Sequence, residues 1–313
     1  MELNTSSPET KPTLEEVEEE IDVDKIVAKN KMTPRKRLKL YKRTPGSLVL
    51  LILVLLATVV TVSALVFILG YILINGIPHL TLDFFSWDYN STNVSCVPAI
   101  MNTLLLTVIA LIIAVPIGIF SAIYLVEYAK KGNKFVKVIR MTAETLSGVP
   151  SIVYGLFGML FFINTLGWGY SILSGSFTVA IMILPLIMRT TEEALLSVPD
   201  SYREGSFGLG AGKLRTIFKI VLPSAVPGIL SGVILGIGRI VGETAALIYT
   251  SGSYPEMAKD PMSSGGTLAI HMWKLSSEGL HTDQAYASAV VLLLLVLFIN
   301  TLSAVIAKKV AKK

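Results

Sequence analysis

Residues 201–223, SYREGSFGLGAGKLRTIFKIVLP, form a polar, basic, Gly-punctuated island between two strongly apolar runs. Ser201 followed three residues later by Glu204 reads as a capping box, which predicts a short helix starting there. Gly210 stands where such a helix would end and need a left-handed residue. The helix between them is about two turns, roughly 12 Å at 1.5 Å per residue. A helix that short is not stable alone in water, so it must be docked onto something. Its apolar neighbours on both sides place it at a membrane surface.

Composition sets the class. The 313 residues are 52% hydrophobic and only 16% charged, with a mean hydropathy of +0.66. A soluble domain carries about 25% charged residues. Several windows exceed the roughly 20 apolar residues needed to cross a bilayer. The expectation is an all-α integral membrane protein. The lone Cys96 excludes an intrachain disulfide and a cysteine-based metal site. His79, His271 and His281 lie far apart in expected loops, so no metal site is expected. The net charge of +5 does not imply nucleic acid, because membrane proteins gather Lys and Arg on their cytoplasmic side.

Outward from the island, the chain divides into a tail over 1–46 and a transmembrane domain over 47–313. The tail is acidic over 1–24, with EEVEEE at 15–20, and basic over 25–43. The acidic part has the composition of a solvated, disordered segment. Six spans are expected at about 48–74, 99–128, 141–163, 177–196, 224–250 and 285–307. Pro116 and Gly118 suggest a kink in the second. Residues 164–176 and 251–284 read as loops, and 200–223 as the island loop. With the N-terminus inside, 23 of the 27 basic residues fall on inside segments. A reversed or five-span chain would break that bias. Both termini and the island are therefore expected on the cytoplasmic side of a cell (inner) membrane.

Charges inside a bilayer cost about 2.5–3.5 kcal/mol on insertion scales and are functional candidates by default. Arg239 and Glu243 are spaced i, i+4 in the expected fifth span, so they share a helix face and can pair. Gly232, Gly236, Gly238 and Gly242 give that span small spacings suited to close helix contact. A buried guanidinium among small neighbours suits a site for an oxyanion, because it presents a planar fork of donors. Glu243 either holds Arg239 in place or accepts a proton from a protonated oxyanion. A purely structural ion pair is the competing reading. Arg189, with Glu192 and Glu193 close by, either lines a pathway or extends to the interface. In the third span Gly148 and Pro150 interrupt the helix, and Ser147 and Ser151 offer hydroxyls to a pathway or to their own backbone. Glu144 needs no special role.

The island resembles a loop carried by the permeases of binding-protein-dependent ABC importers. That loop is written EAA, three residues, Gly, nine residues, Ile, one residue, Leu-Pro. Glu204, Gly205, Ser206, Gly210, Ile220, Leu222 and Pro223 stand at those spacings, with Gly205 and Ser206 in place of Ala. RTTEEALLSVP at 189–199, GVPSIVYGLFG at 148–158 and GRIVGETAAL at 238–247 resemble the phosphate-specific members, and their A-type subunit in particular. The resemblance covers about 48–307. It implies a type I importer permease fold of six transmembrane helices with a cytoplasmic coupling helix. It also implies a role in phosphate passage for Arg189, Arg239 and Glu243. Arg203, Glu204, Gly205, Ser206, Leu209 and Gly210 would then couple to an ATPase.

The partners so implied are a C-type phosphate permease in a heterodimer, two copies of an ATP-binding ATPase subunit, and an extracellular phosphate-binding protein, with no cofactor on this chain. The sequence has no GxxxxGK[ST] phosphate loop, so energy would come from a partner or an ion gradient. Three alternatives stand beside this reading: an importer for another oxyanion, a proton-coupled secondary transporter using Glu243, and a membrane enzyme. The secondary transporter should show paired broken helices in two inverted halves, which six spans do not display. The enzyme lacks a metal-ligand cluster or a nucleophile–base spacing.

Overall fold

A computed structural model describes residues 45–130 and 132–311, which are helical with no strand. The acidic and basic parts of the tail lie outside the described residues. The chain separates into two units, Met1–Ile68 and Leu69–Lys313. In the first unit, helix α1 (Pro45–Gly76) begins and exposes apolar side chains such as Leu53, Val60 and Phe67 on all sides. A helix that is apolar all round and unburied is built for lipid.

The second unit holds the remaining helices. These are α2 (Val97–Ile123), continued by a π-helical turn Tyr124–Tyr128, α3 (Lys134–Ser147), and α4 (Ser151–Gly158), continued by a π-helical segment Met159–Thr165. Then come α5 (Ile172–Leu196), α6 (Asp200–Gly208), and α7 (Lys213–Thr216), which passes through a π-helical turn Ile217–Val221 into α8 (Leu222–Val241). Short α9 (Ala245–Ile248), α10 (Leu268–Glu278) and α11 (Thr282–Ala311) complete it.

Helix α5 is the axis of this unit. Its residues Val179, Ile183 and Ile187 pack with Leu106, Ala110 and Ala114 of α2 in one buried cluster. Small residues set the approach of its neighbours. A β-carbon on Gly118 would stand 2.7 Å from the Ile187 side chain, and one on Gly228 would stand 2.6 Å from Ala194. Gly232 lies against Thr190 in the same way, whereas Gly238 faces open space. Close contact between α8 and α5 is therefore made by Gly228 and Gly232, not by the whole glycine series. Gly118 likewise serves helix contact inside an unbroken α2.

Among the described residues, five helical stretches are long and apolar enough to cross a membrane, and the pair Lys134–Ser147 and Ser151–Thr165 is so only when taken together, with a bend of 101° between its members. The expected span over 141–163 is thus two arms. Pro150 disfavours helical backbone at Val149 and removes a donor, so α3 closes at Gly148 and α4 restarts at Ser151. The Tyr154 hydroxyl donates to the Leu146 carbonyl (2.8 Å), tying one arm to the other.

Three further expectations change. The fifth span runs over Lys213–Val241 instead of 224–250. The turn expected over 164–176 is shorter, because α5 begins at Ile172 with the Ser171 side chain accepting from the Ser174 amide. The expected loop over 251–284 contains α10, which buries Leu268, Ile270 and Leu275. Asn102 pins the start of this loop to α2. Its Nδ2 donates to the carbonyls of Glu256 (3.0 Å) and Gly266 (3.2 Å), and its Oδ1 accepts from the Ala258 amide (2.9 Å).

Candidate transport site and coupling surface

Helix α3, the C-terminal half of α5 and Arg239 in the last turn of α8 line an open cavity of about 500 Å³. Arg140, Glu144 and Ser147 of α3, Arg189, Glu192 and Glu193 of α5, and Arg239 of α8 all line it. Two guanidiniums are held by carboxylates. Arg140 Nη2 lies 2.6 Å from Glu192 Oε1, and Arg189 Nε lies 3.1 Å from Glu193 Oε1. Arg239 has no carboxylate within 4.0 Å among the described residues. The lining carries equal numbers of Arg and Glu, so its formal charge is zero. Both Arg189 and Glu193 are over 60% exposed. A pair so exposed adds at most about 0.5 kcal/mol, so these side chains remain exchangeable.

Of the residues singled out from the sequence, Arg189, Arg239 and Ser147 meet in this cavity, whereas Glu243 and Ser151 do not line it. The expected Arg239–Glu243 pair is absent. Helix α8 stops at Val241, so the i, i+4 geometry never forms. Glu243 is buried instead, and its Oε1 accepts from the Ala246 amide (3.1 Å) at the start of α9. The Ser147 hydroxyl donates to its own helix, at Glu144 O (2.8 Å). Sequence reasoning missed Arg140 and gave Glu144 no role. The available signal was their spacing: positions 140, 144 and 147 fall on one face of a helix.

The island folds as α6, a reversal at Gly210, and α7. Helix α6 begins at Asp200 after Pro199, one residue before the expected capping box, and no side chain caps it. Its end is as expected: Gly210 has φ +81°, its amide donates to Phe207 O (2.9 Å), and the Ala211 amide donates to Ser206 O (3.1 Å). These two bonds make a Schellman motif. Glu204, Gly205, Leu209 and Gly210 point outward, with Leu209 91% exposed. Tyr202, Phe207, Leu214 and Phe218 are exposed as well. Ser206 and Arg203, expected with Glu204, Gly205, Leu209 and Gly210 on the ATPase-facing surface, turn inward instead. The Ser206 hydroxyl meets that of Thr216 (2.8 Å) in the interior, and Arg203 reaches Glu127 on the turn after α2 (2.8 Å). Glu127 was not foreseen, because nothing local in the sequence links it to a residue so distant along the chain.

At the opposite end of the unit, burial lowers the pKa of the His271 imidazole from its ordinary value to about 4, with Lys274 adding to the effect. Its Nδ1 lies 3.1 Å from the Ser288 hydroxyl.

Comparison with known proteins follows this geometry. Residues 114–313 match the family model described as the binding-protein-dependent transport system inner membrane component. A probable ABC transporter permease protein, YqgI of Bacillus subtilis, is 34% identical over 268 residues, which cover 78% of this chain and 89% of the relative. The phosphate transport system permease protein PstA of Mycobacterium leprae is 44% identical over 154 residues, about half the length of each chain (49% and 50%). Among solved structures, a bacterial ABC transporter involved in the import of the acidic polysaccharide alginate superimposes with a TM-score of 0.62 at 16% identity. The match covers 87% of this chain and 99% of that one.

Proposed function

The chain belongs to the binding-protein-dependent transport system inner membrane component family, and from that premise we propose that it is the A-type permease of an ATP-driven importer of inorganic phosphate. The cavity carries this reading. It brings Arg189 and Arg239 together with Arg140 in one space, although they come from three different helices. Guanidiniums offer paired donors matched to a tetrahedral oxyanion, and the exposed Glu193 carboxylate beside Arg189 can be displaced by it. The lining is neutral in this conformation, which suits release of a dianion more than its capture. The similarity to phosphate permeases supports the same cargo.

In this reading the basic end of the bundle, with α6, faces the cytoplasm together with both termini. A C-type permease completes the pathway, an external binding protein delivers phosphate, and one of two ATPase subunits holds the outward face of the island through Leu209 and its neighbours. Closure of the ATPases moves α6, and the cavity alternates between outward and inward access. Glu243 acts by setting the α8–α9 break, which fixes where Arg239 ends its helix. The test is phosphate uptake by the reconstituted complex with its binding protein. Uptake should require ATP and stop in ATP-depleted, energised vesicles. Continued uptake there would identify a proton-coupled carrier instead.

A further inference from the structure

We propose that Arg203 is the positioning residue through which movement of α6 reaches the cavity. This rests on the reading of the chain as an ATP-driven permease. One guanidinium joins three elements. Its Nε (3.1 Å) and Nη2 (2.8 Å) both donate to Glu127 Oε1, on the π-helical turn that follows α2. Nη2 also donates to Leu195 O (3.0 Å), and Nη1 donates to Val198 O (2.9 Å), at the end of α5. Nη1 holds Asp200 of α6 itself (3.2 Å). The Arg203 side chain is 15% exposed and that of Glu127 is 9% exposed, so water competes little for these bonds.

Among the described residues, every hydrogen bond from α6 to the turn after α2 or to α5 runs through Arg203. The other inward contact, Ser206 to Thr216, stays within the island. The destination matters as much as the grip. Leu195 lies three residues beyond Glu192, on the same helix, and Glu192 holds Arg140 across the cavity. An arm that cannot slip on α5 delivers displacement of α6 to that ion pair. Glu127 sits on a π-helical turn, a feature that recurs at functional positions in helices.

The experiment uses the complete transporter in proteoliposomes, comparing wild type with Arg203→Gln and Glu127→Gln. ATPase co-purification, ATP hydrolysis and phosphate imported per ATP are measured together. Transmission through Arg203 predicts normal co-purification and hydrolysis, with phosphate per ATP falling at least about tenfold in Arg203→Gln and by less in Glu127→Gln, which leaves the bonds to Leu195 and Val198 in place. A wild-type ratio in Arg203→Gln overturns the proposal. If Arg203→Gln does not assemble, distances between spin labels in wild type decide alone. Spin labels at Leu196 and Tyr202, both exposed, read the grip without reference to cargo. Their separation should stay constant through the ATP cycle in wild type and vary in Arg203→Gln. Variation in wild type overturns the proposal. Absence of phosphate transport by wild type refutes the cargo assignment, while the label distances still test the arm.

Discussion

Replacing Gly210 by Val perturbs the outward face of the island at one backbone position. Gly210 has φ +81°, where a β-carbon meets its own backbone and costs about 1–2 kcal/mol, with valine at the upper end because it is branched at that carbon. At 1.4 kcal/mol per factor of ten, the native reversal becomes about 5- to 30-fold less populated. Escape from the strain breaks the bonds from Gly210 N to Phe207 O and from Ala211 N to Ser206 O, and so frays a helix of only nine residues. Gly212 supplies the control. It has φ −73° and ψ 159° with no neighbour near its would-be β-carbon, so Gly212→Val should change stability by no more than about 0.5 kcal/mol. Amide exchange over 203–211 should accelerate in Gly210→Val alone, and phosphate imported per ATP should fall while the spans remain folded. Equal behaviour of the two variants, or wild-type coupling in Gly210→Val, would refute the reasoning.

Other perturbations probe the cavity, the helix contacts and the outer end. Arg239→Gln should lower phosphate uptake without preventing assembly, measured by uptake beside co-purification of the partner subunits; failed assembly would make Arg239 structural. Gly232→Ala drives a β-carbon into Thr190 and should cost about 1–3 kcal/mol as overpacking, whereas Gly238→Ala should be tolerated; melting temperatures in detergent separate them. His271 favours its neutral form in the folded protein, with a pKa of about 4 against about 6.5 unfolded, so its contribution is complete above pH 6.5 and declines as pH falls toward 4. At 1.36 kcal/mol per unit, the loss approaches about 3 kcal/mol, and His271→Gln should flatten that part of the pH–stability profile.

Hydropathy made the membrane class legible, and the Gly at 210 made the end of α6 legible, because both signals are local. The errors came where a local rule assumed continuity. The pairing of Arg239 with Glu243 presumed an unbroken helix, but α8 ends at Val241 and Glu243 serves the next turn. GVPS at 148–151 reads as an interruption within one span, whereas it redirects the chain by 101°. Helix α10 was missed because its short apolar face lies within a polar connection. Asn102, Glu127 and Arg140 act through partners far along the chain, and no periodicity in a single sequence announces such contacts.

Helix α5 has 25 residues and is about 37 Å long at 1.5 Å per residue. Pro185 stands near its middle and removes one internal hydrogen bond, so the two ends move together only while that point keeps its angle. A tilt of 10° about its midpoint carries each end through about 3 Å in opposite directions. Glu192 and Glu193 ride near one end; at the other, the Ser171 amide, just before the first turn, is bonded to Thr250 O beyond α9. While Pro185 keeps its angle, opening the cavity at the first end is also a shear at the second; a bend at Pro185 is the one movement that lets the cavity open alone.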